Sequence, residues 1–171
     1  RLGLNGTTTA GTQFNIVSAC PLGNLIVSNV ANLTVNQRIY PLTLLGDLSV
    51  EGGSSVFCTN GLDVNIGGSL INNNTNAGLT LAVGGYQAVN STQITNFNGI
   101  AAQQITGTGT NVTNFANLKV NTRSSLTLTN ADIRIAADLL LNTGTLLDNS
   151  RIVTVLRNIE NNSTHSSSST S

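Results

Sequence analysis

The chain has 171 residues, enough for one buried core, and its net charge is zero, with only 8% of residues charged. Such a balance lacks the basic footprint of a nucleic-acid or anionic-membrane binder, so neither partner is expected. Apolar residues make up 39%, which excludes disorder by composition.

The polar remainder is Asn, Thr, Ser and Gly rather than charge, and the apolar part is largely Leu, Ile and Val. β-Branched residues punctuated by Asn and Gly suit short strands and tight turns, so the fold is expected to be all-β. No apolar run reaches the roughly 20 residues that span a bilayer as a helix. The chain begins at Arg1 with no visible leader and ends in a Ser/Thr run. Residues 1–171 therefore read as a single segment of something longer.

In chain order, an aliphatic anchor recurs at a nearly constant spacing: Leu2, Leu25, Leu48, Leu70, Ile94, Leu118, Leu139 and Ile159. Before most of them sits a polar residue: Asn24, Asp47, Ser69, Gln93, Asn117, Asp138 and Asn158. A few residues after them comes another polar residue, given by Asn29, Glu51, Asn73, Asn98, Asn121, Asn142 and Asn162. Two further apolar beats follow in each period, for instance Leu33/Val35 and Leu42/Leu44. In the fifth period the first of these is delayed to Ile105, which predicts the largest loop at Gln104–Thr110.

Three short beats per period suit a right-handed parallel β-helix, a solenoid of about eight coils of ~22 residues with three short strands in each. The core anchors are then Leu25, Leu48, Leu70, Ile94, Leu118, Leu139 and Ile159. A structural ladder of Asn29, Asn73, Asn98, Asn121, Asn142 and Asn162 is expected at the corner after the anchor strand, because Asn tolerates turn geometry and stacks amide on amide. A slower repeat overlies this one. NLIVSNVANLTV (24–35) matches NLKVNTRSSLTL (117–128), and GDLSV (46–50) matches ADLLL (137–141), giving superrepeats of approximately 4–93 and 94–165.

FNG (97–99), QITG (104–107), FANLKVN (115–121) and GGSLINNNT (67–75) together resemble the cadence of large repetitive surface proteins of the Bacteroidetes type. That resemblance implies a secreted, cell-surface, adhesin-like molecule of the kind exported by the type IX pathway of gliding bacteria. The implied role is a stalk that presents a distal binding tip. Its partners would be neighbouring repeats of the same polypeptide, with surface glycans or a secretion/motility apparatus beyond them.

Asp47 and Asp138 share a slot four turns apart, ~19 Å at the spacing of stacked strands, too far for a carboxylate pair. Asp47, Glu51 and Asp63 read as solvated strand ends. His165 stands in a Ser/Thr stretch without Cys, Asp or Glu beside it in sequence, and a metal site needs three or four ligands. No catalytic residue, metal or cofactor is assigned, and the chain is not read as an enzyme. Cys20 and Cys58 fall in different columns and read as unpaired. Thr106, Thr108 and Thr110 form a local row that the neighbouring turns do not repeat in this register. A carbohydrate-binding module remains the alternative, needing exposed aromatics or carboxylates in adjacent coils.

Overall fold

The computed structural model describes residues 13–28, 33–51, 55–74, 85–88, 90–108 and 112–167. Among them there is no helix, and every strand pairing is parallel. The strands stack as a β-solenoid of about six turns. The first anchor, Leu2, lies outside the described residues.

Three sets of strands run along the stack. The first begins with β1 (Gln13–Ile16), β3 (Thr34–Gln37), β6 (Val56–Cys58) and β9 (Gly85–Gln87). It resumes with β12 (Val112–Phe115), β14 (Asp132–Ile135) and β16 (Val153–Val155). Phe57, Tyr86 and Phe115 bridge the break, with ring centroids 5.9 and 5.6 Å apart. The second set is β4 (Leu42–Leu44), β7 (Val64–Ile66), β10 (Ile94–Phe97), the first halves of β13 (Asn117–Thr129) and β15 (Leu139–Leu147), and β17 (Ile159–Asn161). The third is β2 (Leu25–Ser28), β5 (Leu48–Glu51), β8 (Leu70–Asn73), β11 (Gln103–Gly107), the second halves of β13 and β15, and β18 (Thr164–Ser166). β13 and β15 run through the corner, which joins the second and third sets into one 11-stranded sheet.

In most strands the inward residues are buried and mainly aliphatic or aromatic, with a few buried polar ones such as Thr95, Gln103 and Thr113, while their neighbours face outward. Leu48, Val50, Leu70, Val64 and Ile66 are fully buried. Each such side chain contributes roughly 1.5–3 kcal/mol on leaving water. Parallel pairing in register superimposes these residues turn upon turn, so the core is a continuous apolar column.

The register departs from the anchor count at one place. Leu25, Leu48 and Leu70 do stack on one another, but the next residue above Leu70 is Ile105, not Ile94. Ile94 begins a strand of the second set, where Thr95 stacks on Val64 and beneath Leu118, followed by Leu139 and Ile159. The anchors therefore fall on two ladders, Leu25–Leu48–Leu70 and Leu118–Leu139–Ile159, while Ile94, expected as a core anchor, pairs with Asn117 and is only partly buried, because Thr95 takes the inward slot. Leu25 and Leu118, matched across the superrepeat, lie on different ones.

The cause is one long turn. Ser69 follows the equivalent Asp47 by 22 positions, but Ile94 follows the Asp63 slot by 31 and Gln104 follows Ser69 by 35. In the first set Tyr86 still stacks on Phe57 across the same long turn. By the strand bounds, the extra residues fall mostly between β8 and β9, with a few between β9 and β10 and between β10 and β11. The loop expected at Gln104–Thr110 is thus corrected. Gln104–Gly107 is strand, because Ile105 sits in register on Leu70 and is not a delayed beat. Residues 109 and 110 lie outside the described set.

Candidate functional site

The polar residues that stand before the strands organise the corners. The Asn24 Oδ1 accepts from the Asp47 backbone N–H at 2.8 Å, and the Asp47 Oδ1 accepts from the Ser69 N–H at 2.7 Å. The Ser69 Oγ then accepts from the Gln104 N–H at 3.0 Å. In the second set the same device links Asp63 to Ile94 at 2.8 Å, Asn117 to Asp138 at 3.1 Å and Asp138 to Asn158 at 3.2 Å. A short side chain at a strand entry thus receives the N–H of the same slot one turn on. Such charge-assisted or amide acceptors keep corner donors paired where the sheet ladder ends.

The stacked residues are therefore those preceding the strands, not the Asn set predicted after them. Asn98, Asn121, Asn142 and Asn162 do follow successive second-set strands. Asn121 accepts from the Thr143 hydroxyl and Asn162 donates to Glu160. Asn73 instead ends a third-set strand, paired with Glu51, and Asn29 lies outside the described residues. Asn96 and Asn65 do bond amide to amide, at 2.9 Å, on the outer face of the second set.

Buried amides perform a second task. Gln103, 1% exposed, accepts from the Gly99 N–H and donates to the carbonyls of Ile66 and Gly68. Gln37 donates to the carbonyls of Tyr40 and Asp63 and Asn117 to those of Ser91 and Gln93, while the exposed Asn60 donates to that of Gln37. Beside Gln93, the Tyr86 hydroxyl meets the Thr95 hydroxyl at 2.7 Å inside the core. Burial pushes the Tyr86 phenol far above its ordinary range; hydrogen bonds with Thr95 and Gln93 offset part of this, and the Asp63 charge adds to it.

This accounts for all seven carboxylates. Asp47, Asp63, Asp132 and Asp138 accept backbone N–H groups across turns. Glu51 accepts from Ser49, Glu160 from Asn162, and Asp148 from the Ser150 N–H. Asp148 also lies 3.0 Å from the His165 ring, a pairing that stacking creates and that the local sequence around His165 does not show. Among the described residues no three metal-ligating side chains converge. Cys20 is exposed and Cys58 buried, and both are free.

Among the described residues two larger concave features are found, beside a small one lined by Thr127, Leu147, Asn149 and Ser166. A groove at the corner between the second and third sets is flanked by Leu45 and Ile100, 69% and 77% exposed, with Gly67 between them. The second is a cleft of about 320 Å³ at the last turn, lined by Leu139, Leu141, Leu146, Val153, Val155 and Ile159, with Asn161 and His165 at its rim. Neither places a nucleophile beside a base.

No family model matches the chain, and neither a curated protein nor a solved structure does.

Proposed function

We propose that the chain is a structural stalk segment of a large bacterial surface adhesin or filament, extracellular, holding a distal binding tip away from the cell. The observation that carries this reading is the use of the polar side chains: all seven carboxylates are bound within the stack. With four of its seven carboxylates accepting backbone N–H groups across turns and the other three bonded to near neighbours, the chain is read as organised for rigidity and not as an enzyme. The reading takes the whole chain as a right-handed coil of eight turns with three short strands in each. The three sets of parallel strands support the strand count. The strong preference of parallel crossovers for one hand supports the handedness. Neighbouring repeats of the parent polypeptide are its main partners, and the surface-protein cadence of residues 97–121 supports the cell-surface, type IX-exported, gliding-motility setting.

The carbohydrate-binding alternative draws on Tyr40, 47% exposed beside the exposed Ile39, a surface on which a sugar ring can stack. A glycan array on the purified chain decides between them. The stalk reading expects no dose-dependent binding. Saturable binding lost in Tyr40→Ala would replace it with a lectin-like module.

A further inference from the structure

The outward side of the third set carries polar groups that the fold does not use. The threonine row that begins at Thr106 is not repeated by neighbouring periods counted along the sequence, but the observed register does repeat it. Thr106 pairs with Thr129 and Gln104 with Thr127. One turn on, Ser125 pairs with Thr145 and Thr127 with Leu147. These in turn pair with Thr164 and Ser166. The alternate residues Ile105, Leu126, Leu128 and Leu146 are buried, so the hydroxyl-bearing positions all lie on the outer face. Thr106, Ser125, Thr127, Thr129 and Thr145 are partly exposed there, and Thr164 and Ser166 are exposed.

Elsewhere the chain spends its hydroxyls on itself. Thr95 meets Tyr86, Thr113 accepts from Asn72, and Thr122 and Thr143 donate to the carbonyls of Gly99 and Thr122. The hydroxyls of Thr106, Ser125, Thr127, Thr129, Thr145 and Thr164 have no such partner among the described residues. They form a grid instead. Outward positions along one strand recur every ~6.7 Å, and stacked turns lie ~4.8 Å apart. Threonine is stiff at χ1, which keeps hydroxyl and methyl groups in fixed places on that grid.

Such a grid holds water in register: each hydroxyl anchors a molecule, and the methyl beside it bars other orientations. A charge would gather its own hydration shell and break the pattern, and β11, β18 and the second halves of β13 and β15 carry no acidic or Lys/Arg side chain. They also carry no Phe, Tyr or Trp on which a sugar ring would stack, which argues against a polysaccharide as the occupant. Oxygens on a prism face of ice recur at intervals comparable to those of the grid.

We propose that this face binds ice, its ordered water layer continuing into the lattice. The face runs along the side of the rod, so the inference goes beyond the stalk reading and does not rest on it. Leu147 interrupts the grid between Thr127 and Ser166, which marks where the surface can be improved.

The test partitions the full chain between slowly growing ice and the remaining liquid, with thermal hysteresis as a second readout. Wild type should concentrate in the ice, from which an unrelated globular protein is excluded. Thr127→Lys should lower the retained fraction at least about tenfold. Leu147→Thr should raise it, a gain that misfolding does not produce. Thr43→Lys, on the outer face of the second set where it pairs with Asn65, should behave as wild type. Exclusion of wild type from ice, retention of Thr127→Lys at the wild-type level, no gain in Leu147→Thr, or an equal loss in Thr43→Lys overturns the proposal. Binding to microcrystalline cellulose without retention in ice overturns it in favour of a polysaccharide surface. Exclusion from ice leaves the stalk reading standing, whereas glycan binding on the array removes the stalk reading and leaves retention in ice intact.

Discussion

Asn, Gln, Thr and Asp side chains in this chain serve the backbone. A solenoid satisfies its strands through ladders but leaves N–H and C=O groups unpaired at every corner, and buried ones cost about 1–3 kcal/mol each. Gln103, Gln37 and Asn117 are long or branched enough to reach those carbonyls from inside, and they carry no charge to desolvate. Tyr86 shows the electrostatic consequence of the same interior. Its phenol is held neutral in the folded chain far above the pH near 10 at which an exposed phenol titrates. Above that pH the unfolded chain releases a proton that the folded chain keeps, so stability must fall as pH rises. The unfolding free energy from urea titrations should be unaffected by this group below pH ~10 and then decline by up to about 1.4 kcal/mol per pH unit. Tyr86→Phe should remove that part of the decline while costing some stability at neutral pH, because Thr95 and Gln93 lose a partner. A decline unchanged in the variant would place the titration elsewhere.

At the scale of the element, the corners decide which strand stacks on which. The corner between the second and third sets brings backbones so close that a Cβ on Gly99 would lie 2.3 Å from the Gly67 carbonyl oxygen. A Cβ on Gly67 would lie 2.6 Å from that of Leu45. Gly99→Ala should therefore destabilise by about 1–3 kcal/mol. Gly23→Ala, with nothing within 4 Å of its added Cβ, should be close to neutral. Equal melting temperatures for the two variants would contradict the close approach. The same corner marks what was legible beforehand. Strand type and inward aliphatic positions are readable, because each beat alternates and most turns keep a constant length. The fourth turn is not, because a polar–aliphatic pair opens strands of both the second and third sets. Ile94 falls close to one average period past Leu70 while belonging to another ladder. One signal does separate them: Gly23, Gly46 and Gly68 stand two residues before Leu25, Leu48 and Leu70, whereas Thr92, Ala116 and Ala137 precede Ile94, Leu118 and Leu139. The corner amides were harder to foresee, since most of their partners lie a full turn or more away along the chain.

At the scale of the whole molecule, the apolar column runs from the first described turn to the last, and stiffness follows from that continuity. Each turn contacts its neighbours, so stability is close to a sum of turns and interfaces, with the ends the weakest. The long fourth turn is the place where such a rod would break if its extra residues disturbed the stack. The stack continues through it, because the strands on either side keep register. Disulfide trapping in a Cys20→Ser/Cys58→Ser background tests this most directly, since bridging needs Cα atoms within about 7 Å. Ile71 and Thr106 are direct partners on the outer face of the third set. The pair Ile71→Cys and Thr106→Cys should cross-link readily under mild oxidation, and Ile71→Cys with Thr95→Cys, the partner that the simple anchor period demands, should not. Cross-linking of Ile71 to Thr95 and not to Thr106 would contradict the register, and with it the continuous stack.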